Sequence, residues 1–156
     1  IARCLYERLK QKYPNLVYLD GDEFRKAMGD DLGYALEDRD KNAVRMTGLC
    51  KLLCSQGIHV ICGANLTSQR FRDWSRENIP GYFEVYLEVP LNVLMRRDKK
   101  RIYAERLVGK GGPVVGFDIS HDAPNHPDLI IDNSTDRDSF NEIVDRIIAV
   151  AGLWLP

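Results

Sequence analysis

Along the chain the spacing of apolar residues switches repeatedly between helical and extended periods. Over residues 1–12, Ile1, Cys4, Leu5 and Leu9 recur at helical intervals with charges between them, an amphipathic helix already in phase at its first residue. That phase leads us to expect a segment ahead of Ile1. Tyr13-Pro14-Asn15 breaks the pattern, and Leu16-Val17-Tyr18-Leu19 is a short strand-type run ending on Asp20-Gly21-Asp22. Helical spacing returns from about residue 38 to 56 and stops at Gly57. Residues 58–62 form a second buried strand that runs into Gly63-Ala64-Asn65. A helix is expected over 68–78, a turn at Pro80-Gly81, a strand over 82–89, a helix over 90–98 and a last strand over 129–132. Ser139 and Glu142 have the spacing of a capping box in or at the start of a C-terminal helix that reaches about Leu153.

Strands that alternate with helices of ten or more residues build right-handed β-α-β units. The expected fold is therefore α/β, with a mainly parallel sheet covered on both faces, as one domain over 1–156. Ligands of such folds gather at the carboxyl ends of the strands, which directs attention to Asp20-Gly21-Asp22, to Gly63-Ala64-Asn65 and to the residues after Val89 and Ile131.

Composition narrows the classes of function. With 156 residues, 44% hydrophobic and 29% charged, the chain can bury one good core. Its 22 basic and 23 acidic residues leave a net charge of −1, which supplies no uniform field for nucleic acid or for an anionic membrane surface. A bound anion must be held by a local cluster. Apolar runs are short and interrupted by charge, so no spanning helix is expected, and a cytoplasmic location is the default. Cys4, Cys50, Cys54 and Cys62 lack C-x-x-C spacing and read as reduced thiols, with Cys50 and Cys54 one helical turn apart in a core. His59, His121 and His126 form no metal-ligand pattern.

Two carboxylates flanking a glycine at a strand end can hold Mg²⁺ against a nucleotide and orient an acceptor hydroxyl, although the triplet alone is also a common turn. Downstream, Arg25, Arg39 and Asn42 bring guanidinium and amide groups toward an anionic acceptor, with Arg39 and Asn42 on one helix face. Residues 96–117 lack clean periodicity and carry seven Lys or Arg side chains followed by Gly109, Gly111 and Gly112. This composition suits a lid over phosphates as well as a solvated loop.

The run Y-L-D-G-D-E-F-R-K-A-M-G-D-D-L-G-Y-A-L-E-D-R-D-K-N, from Tyr18 to Asn42, resembles the D-G-D-N-x-R, D-L-G-F and D-R-x-x-N segment of the adenylylsulfate kinase family. R-D-K-K-R-I-Y resembles that family's R-D-P-K-G-L-Y. G-F-D, A-P and N-H-P-D-L-I-I-D come next in the family's order, so the resemblance covers nearly the whole chain. It implies a three-layer α/β/α kinase of the P-loop type, with ATP and Mg²⁺ as cofactors, a small nucleotide as acceptor and a homodimer as the assembly. It places a G-x-x-G-x-G-K-[ST] phosphate loop just ahead of a helix like residues 1–12. Carried over position by position, Asp20 and Asp22 serve the metal and the acceptor 3′-hydroxyl. Arg25, Arg39 and Asn42 bind the acceptor, Tyr34 stacks on its base, Arg97 belongs to the ATP side, and Lys100 reaches phosphates from the lid. Val114 stands where the family's second stacking Phe is expected, Arg101 replaces the Gly of P-K-G-L-Y, and residues 65–69 do not reproduce I-S-P-[FY]-R. The Val114-Val115 pair and D-W-x-R-E-N-I at 73–79 are similar to a divergent branch that phosphorylates cytidine diphosphoramidate in capsule-sugar modification. A catalytically inactive nucleotide-binding module is the alternative of another class.

Overall fold

The computed structural model describes residues 1–98 and 101–153. In chain order the elements are α1 (Ala2–Leu9), β1 (Leu16–Asp20), α2 (Gly21–Ala27), α3 (Leu36–Ser55), β2 (His59–Gly63), α4 (Gln69–Asn78), β3 (Val85–Glu88), α5 (Leu91–Arg96), α6 (Ile102–Leu107), β4 (Leu129–Asp132) and α7 (Asn141–Val150). The fold is mixed α/β with every named strand pair parallel, as the alternating pattern requires.

Two short helices differ from the sequence reading. Asp20-Gly21-Asp22 is the first turn of α2 and not a bare turn, because the Asp20 carboxylate caps that helix. Residues 102–107 form α6 inside the basic segment, where fewer than two turns of helix are too short to show a period. The Ser139–Glu142 box is not used as a cap. α7 begins at Asn141 with Phe140 in the capping position and no side-chain bond there.

The described strands form two pairs, β1 with β2 and β3 with β4. In register, Leu16 lies opposite His59 and Asp20 opposite Gly63, while Val85 lies opposite Leu129 and Glu88 opposite Asp132. Two apolar clusters hold the layers. Leu5 and Leu9 of α1 meet Leu129 and Ile131 of β4 and Ile143, Val144, Ile147 and Ile148 of α7. Phe24 of α2, Met46 and Cys50 of α3 and Ile79 form the second. Val144, 1% exposed, and Leu9, 2% exposed, are the kind of position where truncation to Ala costs ~2–5 kcal/mol.

The second pair is fastened by ions as well as by apolar packing. Arg76 grips Asp128 with both terminal nitrogens, at 3.2 and 2.9 Å, and Asp128 Oδ2 also accepts from the Glu84 amide at 2.7 Å. Arg72, only 3% exposed, donates to the Leu66 carbonyl, to Asp122 O at 2.9 Å and to Gln69 Oε1 at 3.0 Å, with Glu84 3.7 Å away. Burial raises the Glu84 pKa against the pull of these two arginines, while the hydrogen bond from Arg76 lowers that of Asp128. Between the β2 and β3 edges lies a cleft of about 1340 Å³, whose lining includes Ile61, Gly63, Val85, Leu87, Asp20 and Asp22.

Candidate active site at the strand ends

Asp20 closes β1 and opens α2. Its Oδ1 accepts from the Asp22 and Glu23 amides at 3.0 and 3.2 Å, and its Oδ2 accepts from Tyr18 Oη at 3.0 Å. Tyr18 and Asp20 can meet because residues two apart on a strand share a face. Asp22 sits exposed in the first turn of α2, where the helix dipole favours a carboxylate. Its charge bears on Arg39. Gly63 stands opposite Asp20, and a Cβ there would come within 3.2 Å of both Ala2 Cβ and Tyr18 Oη. The start of α1 therefore abuts the carboxyl ends of β1 and β2, beside the cleft that Asp20 and Asp22 line.

A second group of sequence-predicted residues is assembled next to the carboxylates. Arg25, 7% exposed, donates to Gly33 O at 2.7 Å and Leu32 O at 3.3 Å, and its guanidinium lies 4.9 Å from the centre of the Tyr34 ring. Arg39 donates to Tyr34 O at 2.8 Å and to Pro113 O at 3.2 Å, and lies 5.5 Å from the same ring. Burial, then the neighbouring Arg25 charge, lowers the Arg39 pKa. Two crowded cations held by carbonyl dipoles and an aromatic ring make a field suited to an anionic ligand. The loop that presents Tyr34 is pinned by Arg45 on Asp31, at 2.6 and 2.8 Å, and by the Gly33 amide on Asp38 at 3.0 Å.

Asn42 is buried, one turn beyond Arg39, and its Oδ1 has no hydrogen-bond partner among the described residues. Val114 is buried in the turn after Pro113. Its amide donates to Asp118 Oδ2 at 2.9 Å, and its carbonyl accepts from the Asp118 amide at 2.8 Å. Tyr34 and Arg39 thus meet residues 112 and 113, the two that precede Val114. Arg97 is elsewhere, tied to Asp136 Oδ1 and Asn133 O, both at 2.7 Å, in the loop after β4. Lys100 lies outside the described residues.

Sequence reasoning did not single out Tyr18, whose signal was its place two residues before Asp20 on one strand. It also missed the thiol pair. Cys50 and Cys62 are hydrogen-bonded to each other, and Cys62 Sγ lies 3.2 Å from Met46 Sδ. The hydrogen bond with Cys50, followed at longer range by the Asp20 charge, pushes the Cys62 thiol up from its ordinary value. Of the two thiols expected in a core, Cys50 is buried and Cys54 half-buried, while Cys4 and Cys62, for which no core place was expected, are exposed. His121 lines the cleft, and its buried Nδ1 has no partner among the described residues.

The arrangement puts paired carboxylates, a helix start and a cationic cluster at the strand ends, the place where α/β kinases work. A family model described as adenylylsulphate kinase matches residues 1–132. The chain belongs to the adenylylsulphate kinase family. A cytidine diphosphoramidate kinase of Campylobacter jejuni is 38% identical over 148 residues, which cover 95% of this chain and 85% of that protein. An adenylyl-sulfate kinase of Paraburkholderia xenovorans is 36% identical over 150 residues, covering 96% of this chain and 83% of that one. Among solved structures, the Mycobacterium tuberculosis APS kinase in complex with AMPPNP and APS superposes with a TM-score of 0.83 at 30% identity, covering 97% of this chain and 88% of that chain.

As a member of this family the chain is a phosphotransferase with an alcohol group as acceptor. ATP suits it, since the superposed M. tuberculosis enzyme carries AMPPNP. Among the described residues no three His, Cys, Asp or Glu side chains converge on a metal position. Asp20 and Asp22 nevertheless fit Mg²⁺, which is commonly held by one or two carboxylates together with substrate phosphates. No described helix is long and apolar enough to cross a membrane.

Proposed function

We propose that this protein transfers the γ-phosphoryl group of ATP to the 3′-hydroxyl of adenosine 5′-phosphosulfate. The observation that carries the reading is the meeting, at the ends of β1 and β2, of the α1 start with Asp20 and Asp22, beside the Arg25–Tyr34–Arg39 cluster. A helix start attracts phosphate, carboxylates hold Mg²⁺ and orient a hydroxyl, and paired guanidiniums bind a second anionic group.

In this reading Asp20 and Asp22 hold the metal, and Asp22, the more exposed, approaches the acceptor hydroxyl. Mg²⁺ bound there supplies charge neutralisation at the transferring phosphate. Arg25 and Arg39 clamp the acceptor's anionic end, Asn42 offers it an amide, and the Tyr34 ring lies at its base with Val114 on the lid side. Arg97 shapes the nucleotide side through the loop after β4, and Lys100 belongs to the lid over 96–117. The resemblance implies a strand and a phosphate loop ahead of a helix like residues 1–12. The β2 and β3 edges flank an apolar cleft suited to one more strand, which would pair with both and be covered on both faces. A homodimer working in the cytoplasm in sulfate assimilation is the corresponding setting.

A second acceptor, cytidine diphosphoramidate, is favoured by one observation. Val114 is a small buried aliphatic where the resemblance expects a stacking Phe, and the 38% identical C. jejuni relative bears that kinase's name. Losing one stacking wall removes ~1–3 kcal/mol of base recognition, which penalises a purine more than a smaller pyrimidine.

The roles are tested with Asp22→Asn in the protein that carries its phosphate loop. Turnover is expected to fall about 10²- to 10⁴-fold, the range for loss of a group assisting proton transfer, with the thermal midpoint preserved. Wild-type turnover would refute the role of Asp22.

A further inference from the structure

We infer that Tyr18 is a positioning residue for the site, fixing Asp20 in the orientation in which it meets the metal–nucleotide; this rests on the proposed role of Asp20. The carboxylate of Asp20 is held from two directions. The α2 amides take Oδ1, and the Tyr18 hydroxyl, 3.0 Å away, takes Oδ2. The terminal torsion of an Asp side chain is broad, so a carboxylate anchored at one oxygen turns about that anchor. One held at both does not.

Tyr18 is itself set in place for this. Its ring stacks on Tyr6 of α1 at a centroid distance of 6.0 Å, and the Arg3 guanidinium lies 5.7 Å from its centre. Arg3 also reaches Glu23 in the first turn of α2, at 3.2 Å, so α1, Tyr18 and the capped helix are joined. Gly63 supplies the room, because any side chain there would start 3.2 Å from the Tyr18 hydroxyl. The sequence shows the device in outline: a Tyr on the strand face of Asp20, with a glycine opposite Asp20 on the next strand.

Hydrogen bonds to charged groups are worth more than neutral ones, and their loss at a catalytic carboxylate is felt where that carboxylate works. The experiment is Tyr18→Phe in the phosphate-loop-bearing protein, with Asp20→Asn alongside. Mn²⁺ binding in the presence of AMPPNP is read by electron paramagnetic resonance, and turnover is read separately. Tyr18→Phe is expected to weaken Mn²⁺ about tenfold and to lower kcat about tenfold, with the thermal midpoint retained. Wild-type Mn²⁺ affinity and kcat in Tyr18→Phe, beside an inactive Asp20→Asn, would overturn the positioning role alone. An Asp20→Asn protein with wild-type Mn²⁺ binding and turnover would overturn the reading beneath it. Should Tyr18→Phe not fold, Gly63→Ala carries the test, since its methyl presses on the hydroxyl. The same loss of Mn²⁺ affinity is expected there, and unchanged affinity would contradict the inference.

Discussion

Asp118 holds the Val114 turn by accepting from the Val114 amide, and Arg106 Nε reaches both its oxygens at 2.9 Å. The amide bond, followed by the Arg106 pairing, lowers its pKa below the ordinary 3.8. A depressed carboxylate stabilises the fold above its unfolded value and loses that contribution as pH falls through its folded value. The Val114 turn is therefore expected to stay closed through the ordinary carboxylate range and to loosen only at lower pH. Followed by NMR, the chemical shift of the Val114 amide proton should report an Asp118 titration with its midpoint below the ordinary carboxylate value, and a midpoint at or above that value would contradict the bond. At this scale the sequence singled out Asp20, Asp22, Arg25, Arg39 and Asn42, because charged and amide side chains in ordered spacing invite a chemical reading. Tyr18 was not, since an aromatic in an apolar strand run looks like core until its hydroxyl is seen on a carboxylate. The resemblance implies a stacking role for the Tyr34 ring, and in the structure two guanidiniums lie against it.

Among the elements, α6 begins with a residue in an uncommon conformation. Arg101 adopts φ +56 and ψ +22 at the start of α6, the left-handed region that suits glycine, and the resemblance expects Gly at this position. The side chain costs ~1 kcal/mol there once the greater unfolded-state freedom of glycine is set against it. Arg101→Gly should raise the thermal midpoint by about 2–4 °C in calorimetry. A lowered midpoint would mean that contacts of the Arg101 side chain outweigh the backbone cost. The long helix α3 and the four strands were visible in the periodicity, and their ends shifted by a few residues. α2 and α6, at 7 and 6 residues, were hidden because fewer than two turns cannot display an amphipathic stripe. Ser139 shows the reverse error, a capping signature that the backbone does not use.

For the whole molecule, the alternation of strand and helix was enough to give a parallel α/β architecture, and the order of motifs along the chain was enough to place it in its family. The division into two strand pairs about a cleft was not legible, because pairing partners depend on contacts between distant segments that no local pattern records. Acceptor choice is the finest distinction, and in the proposed reading it turns on a few side chains around Tyr34 and Val114. The most direct measurement is ADP formation by the phosphate-loop-bearing protein with Mg²⁺ and ATP, offered adenosine 5′-phosphosulfate and cytidine diphosphoramidate in parallel. ADP is expected in step with 3′-phosphorylation of adenosine 5′-phosphosulfate. ADP formed only with the cytidine compound would contradict the acceptor assignment, and no acceptor-dependent ADP with either would contradict the kinase reading of this site.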